Sequence, residues 1–595
     1  MSKFTLLAAD KLADEGLEFV RSQTDAELLD RPDLVDLKKS DGQDAVDAEV
    51  GKLLSAGGIH AMVVRSGIKV TPAMLAEPGD LKVIARAGVG VDNIDLPAAT
   101  AKGILVVNTA EASTITTAEH AFALMMALLR NVGPAYKTMT EGGWDRNKYK
   151  GRQLHGLTLG VVGLGRIGRT VAERALAFGM DVVGYDPFVN TDLQLGDRAV
   201  KTHRAFADLV PHADVLSFHV PKTPETTGML DAAVFAKCRP GVFVVNAARG
   251  GIVDEADLIA ACDAGQCGGA ALDVFTTEPP AEDSPLRTHP KILVTPHLGA
   301  STEEAQTAVS VDAAKACLAY LRGEGISGAV NAGGVRVDLT DAQAAYVDLA
   351  DRMARLISPM VTRGVARLDV ELCGQALGPA AGTIERTALV GLLQRNLDTP
   401  LNVINVGAVA EARGIETRVT QREHTTTAPS QLTLTIHGPR IRQLRDIERE
   451  TDSAAAGFWG NTHDKKFVDE NPDHEADKVR RIVGRVYDDL RPRVVEINGY
   501  AMDMVPEGHM VIIQNDDRPG MIGMVGTEFG KAGVNIADMT ISRRENPDGS
   551  GATALMLLKT DEAAPYELHD AVGERPGILK IAGVHLAEVT SSVSR

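Results

Sequence analysis

With 595 residues, 44% of them apolar and 24% charged, the chain is long enough for several separately cored domains. A formal net charge of −18 argues against nucleic acid or an anionic membrane as partner, so any anionic small molecule must be captured by local arginines and lysines against the overall field. No uninterrupted apolar window of about 18 residues occurs, so no membrane span is predicted. Five scattered cysteines (Cys238, Cys262, Cys267, Cys317, Cys373) form no C-x-x-C pair and read as reduced thiols of a cytoplasmic protein, with no metal site expected. The first ten residues read as a strand, because the apolar run is too short and Asp10 arrives too early for a signal peptide.

Residues 1–105 alternate short apolar runs (Ala61-Met62-Val63-Val64, Leu81-Lys82-Val83-Ile84-Ala85, Ile104-Leu105-Val106-Val107) with helical patterns, which predicts a small α/β unit. Residues 114–139 read as one long helix with Ala121, Leu124, Met125, Leu128 and Leu129 on its apolar side. Residues 157–162 then read as a buried parallel strand that breaks at Gly163-Leu164-Gly165-Arg166-Ile167-Gly168, a G-x-G-x-x-G turn. A helix with Ile167, Val171, Ala175 and Phe178 on one face follows, and a second apolar run, Val182-Val183-Gly184-Tyr185, ends in Asp186. In such a turn Gly163 permits the tight bend, Gly165 lets a pyrophosphate approach the backbone, and Gly168 lets the helix pack on the strand. The helix N-terminus faces the phosphates. Asp186 can accept hydrogen bonds from both ribose hydroxyls and would repel a 2′-phosphate, and Pro187-Phe188-Val189-Asn190 carries no arginine to hold one; NAD is therefore favoured over NADP.

The alternation continues through Val215-Leu216-Ser217-Phe218, Val242-Phe243-Val244-Val245, Gly268-Gly269-Ala270-Ala271-Leu272 and Ile292-Leu293-Val294, predicting a doubly wound parallel sheet. A helix over 302–321 would return the chain to the first unit, and two crossings between lobes make a hinged cleft. Residues 324–340, rich in glycine, valine and alanine, read as a linker. Residues 341–500 hold a helix at 344–360, short strands, and a polar stretch at 445–480 that reads as a solvated loop or surface helix. From 508 to 588 the order is strand (510–514), turn (515–520), helix (522–532), strand (536–543), turn (546–551), strand (554–559), helix and strand, a βαββαβ unit.

Three polar residues follow strands of the nucleotide-binding sheet: Arg249 after Asn246-Ala247-Ala248, Glu278 before two prolines, and His297 in Thr295-Pro296-His297-Leu298-Gly299-Ala300. Strand ends are where ligands bind in this architecture. A guanidinium suits a carboxylate, and alcohol oxidation by NAD needs a base for the hydroxyl proton, for which histidine backed by a carboxylate is suited.

Together the segments Gly163-Leu164-Gly165-Arg166-Ile167-Gly168, Asn246-Ala247-Ala248-Arg249-Gly250-Gly251-Ile252-Val253-Asp254, Leu272-Asp273-Val274-Phe275 with Glu278-Pro279, and Thr295-Pro296-His297-Leu298-Gly299-Ala300 resemble the D-2-hydroxyacid dehydrogenase family over about residues 1–325. Val63-Val64-Arg65-Ser66, Ala87-Gly88-Val89-Gly90-Val91-Asp92-Asn93-Ile94-Asp95 and Trp144-Asp145-Arg146 are similar to its branch that oxidises 3-phosphoglycerate, the entry to serine synthesis. Asp517-Arg518-Pro519-Gly520-Met521-Ile522-Gly523 with Ala532-Gly533-Val534-Asn535-Ile536 resembles an ACT domain, and Leu401-Asn402-Val403-Ile404-Asn405 a motif of the intervening domain of the longer forms.

The resemblance implies a substrate domain at 1–107 and 297–325, a Rossmann-type NAD domain at 108–296, an α+β intervening domain at 326–502 and an ACT regulatory domain at 503–595. It implies His297 as acid/base, Glu278 as its partner and Arg249 as carboxylate anchor. NAD would touch Val89, Arg166, Ile167, Asp186, Ala248, Asp273, Gly299 and Ala300, along with the three glycines of the turn. Arg65 and Ser66 would hold substrate carboxylate or phosphate; Arg146 and Lys148 are further phosphate candidates, reaching a neighbouring subunit. Asn515, Asp517 and Asn535 would hold an effector, L-serine, and the assembly would be a homodimer or homotetramer. Where many relatives carry Pro-x-Gly-Asn this chain has Ala110-Glu111-Ala112-Ser113, which bears on substrate choice. Two other readings stay open: reduction of glyoxylate, hydroxypyruvate or another 2-hydroxy acid, and a nucleotide-sensing binding protein or corepressor.

Overall fold

The computed structural model describes residues 3–189, 191–361, 364–397, 399–422, 430–439, 479–545 and 551–589. Five parallel strands make the first sheet in the order Ala26–Asp30, Phe4–Ala8, Ile59–Val64, Val83–Arg86, Leu105–Asn108. Their near-continuous apolar runs are what a parallel sheet covered on both faces requires. Leu6, Val63 and Val83 pack on Val309, Ala313 and Cys317 of the helix Glu303–Arg322. Leu7, Met62 and Ile84 pack on Val46, Val50 and Leu54 of the helix Gln43–Ser55. Thr302 caps the long helix through the Ala305 amide, and Gly323 ends it in the left-handed region. The segment read as a linker is partly docked. The Asn108 amide donates to the Gly328 carbonyl at 2.9 Å, the Val330 amide to that of Val106 at 2.8 Å, and Ala332 and Val335 enter the core. Its small apolar residues serve burial as much as reach.

The second sheet has eight strands, in the order Ile292–Val294, Cys267–Leu272, Val242–Asn246, Val215–Phe218, Thr158–Val162, Asp181–Tyr185, Arg198–His203, Leu193–Leu195. Chain order reverses between Thr158–Val162 and Val215–Phe218, whose carboxyl ends flank the crevice where such sheets take ligands. The single helix expected at 114–139 is two, Thr114–Leu129 and Val132–Thr140. Between them Asn131 sits at φ 53°, a left-handed turn that asparagine tolerates, and Pro134 falls in the first turn of the new helix where its missing N–H costs nothing. Phe178, expected on the buried helix face, is half exposed and meets only the edge of the core at the Phe122 ring.

The third sheet runs Glu416–Arg422, Arg367–Cys373, Gln431–His437, Val479–Val486, Pro492–Ile497, Tyr500–Met504, covered on one face by the helices Asp341–Ile357 and Ala381–Leu393. The fourth is antiparallel, in the order Ile536–Glu545, Ala552–Thr560, Gly508–Asp516, Ile578–Leu586, with helices Met521–Lys531 and Tyr566–Gly573, completing the expected βαββαβ order. Period-2 alternation decides how these two units join. Val511 and Ile513 face the helices of their own unit, while Met510 and Ile512 face the other way, into the core built around Leu349 and Met353 of the helix Asp341–Ile357. Arg352, buried on that helix, donates to the carbonyls of Pro506 and Ala587 and pairs with Asp348. The polar stretch at 445–480, apart from 479 and 480, and the turn at 546–550 lie outside the described residues. Replacing Arg352 with methionine strips the buried Pro506 carbonyl of its donor, a cost of about 1–3 kcal/mol, and frees the more exposed Ala587 carbonyl. Limited proteolysis is expected to release the C-terminal unit faster in R352M than in the wild type.

Candidate active site

Arg65 leaves the strand Ile59–Val64 in a loop held from both sides. Buried Asp10 accepts from the amides of Arg65 (3.0 Å) and Ile68 (3.1 Å), and Asn93 donates to the carbonyls of the same two residues at 2.7 Å each. Arg86 closes the neighbouring strand. Its Nε is buried without a hydrogen-bond partner, a costly state for a charged group. Burial first, then the nearby guanidiniums of Arg249 and Arg65, push its pKa down to about 10. Gly88, at φ 144°, and Gly90 carry the next loop past these groups. A Cβ on Gly88 would fall 1.5 Å from an Arg86 Nη, and one on Gly90 1.7 Å from an Arg249 Nη. Arg249 comes from the other lobe and donates from Nε to Asp92 at 3.0 Å, across the cleft. Three guanidiniums from two lobes thus stand close together; Arg65 donates to the Lys11 carbonyl and Arg249 to Asp92 and the Ala248 carbonyl, whereas Arg86 Nε is left without an acceptor. Arg86 was not singled out from sequence. Its signal was an arginine ending an otherwise apolar strand just before Ala87-Gly88-Val89-Gly90.

His297 lies past the strand Ile292–Val294 at φ 56°, uncommon for a residue with a side chain. Its Nδ1 is 2.7 Å from Glu278 Oε2, and Glu278 Oε1 accepts from the Phe275 amide at 3.0 Å. The imidazole is half exposed, so Nε2 is the nitrogen free to meet a substrate. Asp273, expected to touch the cofactor, has its carboxylate wholly buried and spent on the His297 loop. It takes the amides of Leu298 and Gly299 at 2.8 Å each and the Thr295 hydroxyl at 2.6 Å. Burial alone would raise its pKa, but hydrogen bonds from His120, Thr295 and Leu298 outweigh it and hold the carboxyl below the usual range.

The G-x-G-x-x-G segment forms the tight turn its glycines foretell. Gly163 sits at φ 97°, a Cβ on Gly168 would lie 1.9 Å from the Gly163 carbonyl oxygen, and one on Gly165 would meet nothing within 4 Å. Open space over Gly165, at the N-terminus of the helix Arg166–Ala177, fits a pyrophosphate. Asp186 follows the next strand and braces the turn, accepting from the amides of Leu164 (2.8 Å) and Phe188 (2.9 Å). Arg166 points to Glu111, with Ile167 half-buried beside it. Val89 accepts from Asn108, and the Ala248 carbonyl from Arg249. Gly299 is buried, with Ala300 half-buried after it, and Ser66 is exposed. Arg146 and Lys148 are exposed, and Lys148 lies over the Tyr149 ring. Ala112 joins the edge of the first core, and the Ser113 hydroxyl is buried without a partner. In the C-terminal unit, Asn515 Oδ1 is likewise buried and unpartnered, Asp517 pairs with Arg543, and Asn535 donates to Asp561.

Residues 122–299 match the D-isomer specific 2-hydroxyacid dehydrogenase NAD binding domain, and residues 343–446 the D-3-phosphoglycerate dehydrogenase intervening domain. The chain is 36% identical to D-3-phosphoglycerate dehydrogenase of Mycobacterium tuberculosis (strain ATCC 25618 / H37Rv), over 99% of this chain and all of that one. It is 34% identical to the enzyme of that name from Archaeoglobus fulgidus, over 98% of this chain and all of that one. The Bacillus subtilis (strain 168) enzyme of the same name is 33% identical over 98% of this chain and all of its own. A side chain at 168 must drive the helix N-terminus from the strand. Gly168→Val is therefore expected to weaken NAD binding at least about tenfold in a fluorescence titration, a loss of about 1.4 kcal/mol.

Proposed function

We propose a reaction course for this chain from the premise that it belongs to the D-3-phosphoglycerate dehydrogenases. It is an NAD-dependent oxidoreductase that converts 3-phosphoglycerate to 3-phosphohydroxypyruvate. The observation that carries the residue assignment is the unpartnered Nε of Arg86 beside Arg65 and Arg249. A substrate with a carboxylate at one end and a phosphate at the other supplies what those guanidiniums lack. Arg249, oriented by Asp92, takes the carboxylate; Arg86 and Arg65 take the phosphate. His297 accepts the hydroxyl proton at Nε2, because Nδ1 is engaged with Glu278, whose carboxylate then stabilises the cation. NAD, when bound, supplies the hydride acceptor. Gly163, Gly165, Gly168 and Asp186 are the residues suited to hold it, with Arg166, Ile167, Val89, Ala248, Gly299 and Ala300 around it. Asp273 acts beneath the loop.

The helix Val132–Thr140 has no buried residue, and Val132, Tyr136, Met139 and Trp144 are exposed along it and after it. Apolar exposure of this kind is suited to a second copy of the chain, which supports a homo-oligomer and would bring Arg146 and Lys148 to a neighbour. The unpartnered Oδ1 of Asn515, with Asp517 two residues on, supports an amino-acid effector site in an ACT domain, with L-serine as inhibitor; Asn535 precedes the strand end paired with Thr560, at the other end of the sheet from Asn515, and would join such a site only from a second copy. Five free cysteines support a cytoplasmic setting.

Steady-state kinetics test the assignment. Arg86→Gln is expected to raise KM for 3-phosphoglycerate by about 10–100-fold, the worth of a charge-assisted contact, while leaving NAD affinity unchanged. Equal turnover of D-glycerate and 3-phosphoglycerate by the wild type would move the assignment to an unphosphorylated 2-hydroxy acid. His297→Ala is expected to lower kcat by at least about 10²-fold, the general-base contribution, with NAD still bound. Serine is expected to inhibit the wild type and to lose that effect in Asn515→Ala; inhibition undiminished there contradicts the effector site.

A further inference from the structure

A second histidine stands behind the first. His120 lies on the helix Thr114–Leu129, and its Nε2 is 3.0 Å from Asp273 Oδ1 and 3.3 Å from the Thr295 hydroxyl. The same Asp273 oxygen takes the Thr295 hydroxyl at 2.6 Å and the Leu298 amide at 2.8 Å, and the other oxygen takes the Gly299 amide at 2.8 Å. Thr295 and Leu298 flank His297, so both arms of its turn are tied to one carboxylate. That carboxylate is fully buried at the end of the strand Cys267–Leu272. His297 needs the hold, because φ 56° is a conformation a histidine leaves readily unless its neighbours impose it.

A buried carboxylate persists only when its acceptor sites are filled. His120 is the one side chain in the set that comes from outside the 273–299 region, and it is itself mostly buried. The helix that carries it also lies against the helix of the dinucleotide turn, where Glu119, next to His120, pairs with Arg174.

We propose that His120 is a positioning residue: through Asp273 it fixes the turn that presents His297 to substrate and links that turn to the helix packed on the dinucleotide cradle. The proposal rests on the assignment of His297 as the base. His120 touches neither substrate nor cofactor. Its removal slackens the loop rather than emptying a binding site, so the loss falls on kcat and not on NAD affinity.

Three variants of the full chain test this, with steady-state kinetics, NAD titration and amide hydrogen exchange. In His120→Leu, kcat is expected to fall about 10–100-fold, as for a reacting group displaced by about 1 Å. NAD affinity should stay within about twofold, well under the tenfold that 1.4 kcal/mol represents, and amides of residues 297–300 should exchange faster. His120→Gln keeps an N–H donor toward Asp273 and is expected to recover most of kcat and of the protection. If His120→Leu does not fold, Thr295→Val, which deletes another donor to the same oxygen, takes its place with the same expectations. Wild-type kcat and exchange in the leucine variant, or a glutamine variant no better than leucine, overturns the proposal. A wild type inactive on 3-phosphoglycerate whose loop exchange still answers to His120 faults the substrate assignment instead.

Discussion

The gathering of the guanidiniums of Arg65, Arg86 and Arg249 at one cleft, with Arg86 buried among them, is the constraint around which the N-terminal half of this protein is organised. Each comes from a different strand end or loop, two from the first sheet and one from the second, and Arg86 pays for burial as well. Asp92 accepts from Arg249 and, with Asp10, also acts on Arg86, but Arg86 Nε is still left without an acceptor among the described residues. Such a cluster stores a preference for a multiply charged anion. In a chain of net charge −18 it is also the local exception that lets such an anion approach at all. Gly88 and Gly90 exist on these terms, since any side chain there would occupy the space the guanidiniums need.

Around this cluster, rigidity is supplied by buried carboxylates. Asp10 fixes the loop of Arg65, and Asp273 fixes the loop of His297, each by accepting several backbone amides. In both cases the buried acid lies at the C-terminal end of a parallel strand and sets the course of a loop that bears a proposed site residue, Arg65 half-buried and His297 exposed. In the proposed reaction course, the residues for binding and proton transfer are thereby separate from the groups that hold the geometry. Dehydrogenation needs that separation, because reacting atoms must be placed to a fraction of an ångström while the cleft still opens.

Legibility in the sequence followed the range of the interactions. The G-x-G-x-x-G turn, the strands leading to Asn246 and Val294, and the βαββαβ order were readable because each rests on local periodicity and glycine placement. Asn131 broke a helix that apolar spacing carried straight through; the pattern of Asn131 followed by Pro134 held the sign, but periodicity outweighed it. The 324–340 segment looked like a spacer because small apolar residues suit both reach and burial, and only the free edge of the first sheet decides between them. Arg86, His120 and Asp273 show the same limit at the site. Their partners lie far off in sequence, so Arg86 and His120 were not singled out, and the hold of Asp273 on the His297 loop was not foreseen.

The most direct measurement is a crystal structure of the complex with NAD and 3-phosphoglycerate. Phosphate oxygens within hydrogen-bond distance of Arg86 and Arg65, the carboxylate on Arg249 and the substrate hydroxyl on His297 Nε2 are the expected result. A phosphate bound away from Arg86, with its Nε still lacking an acceptor, contradicts the central claim that this cluster is built for the substrate's charge.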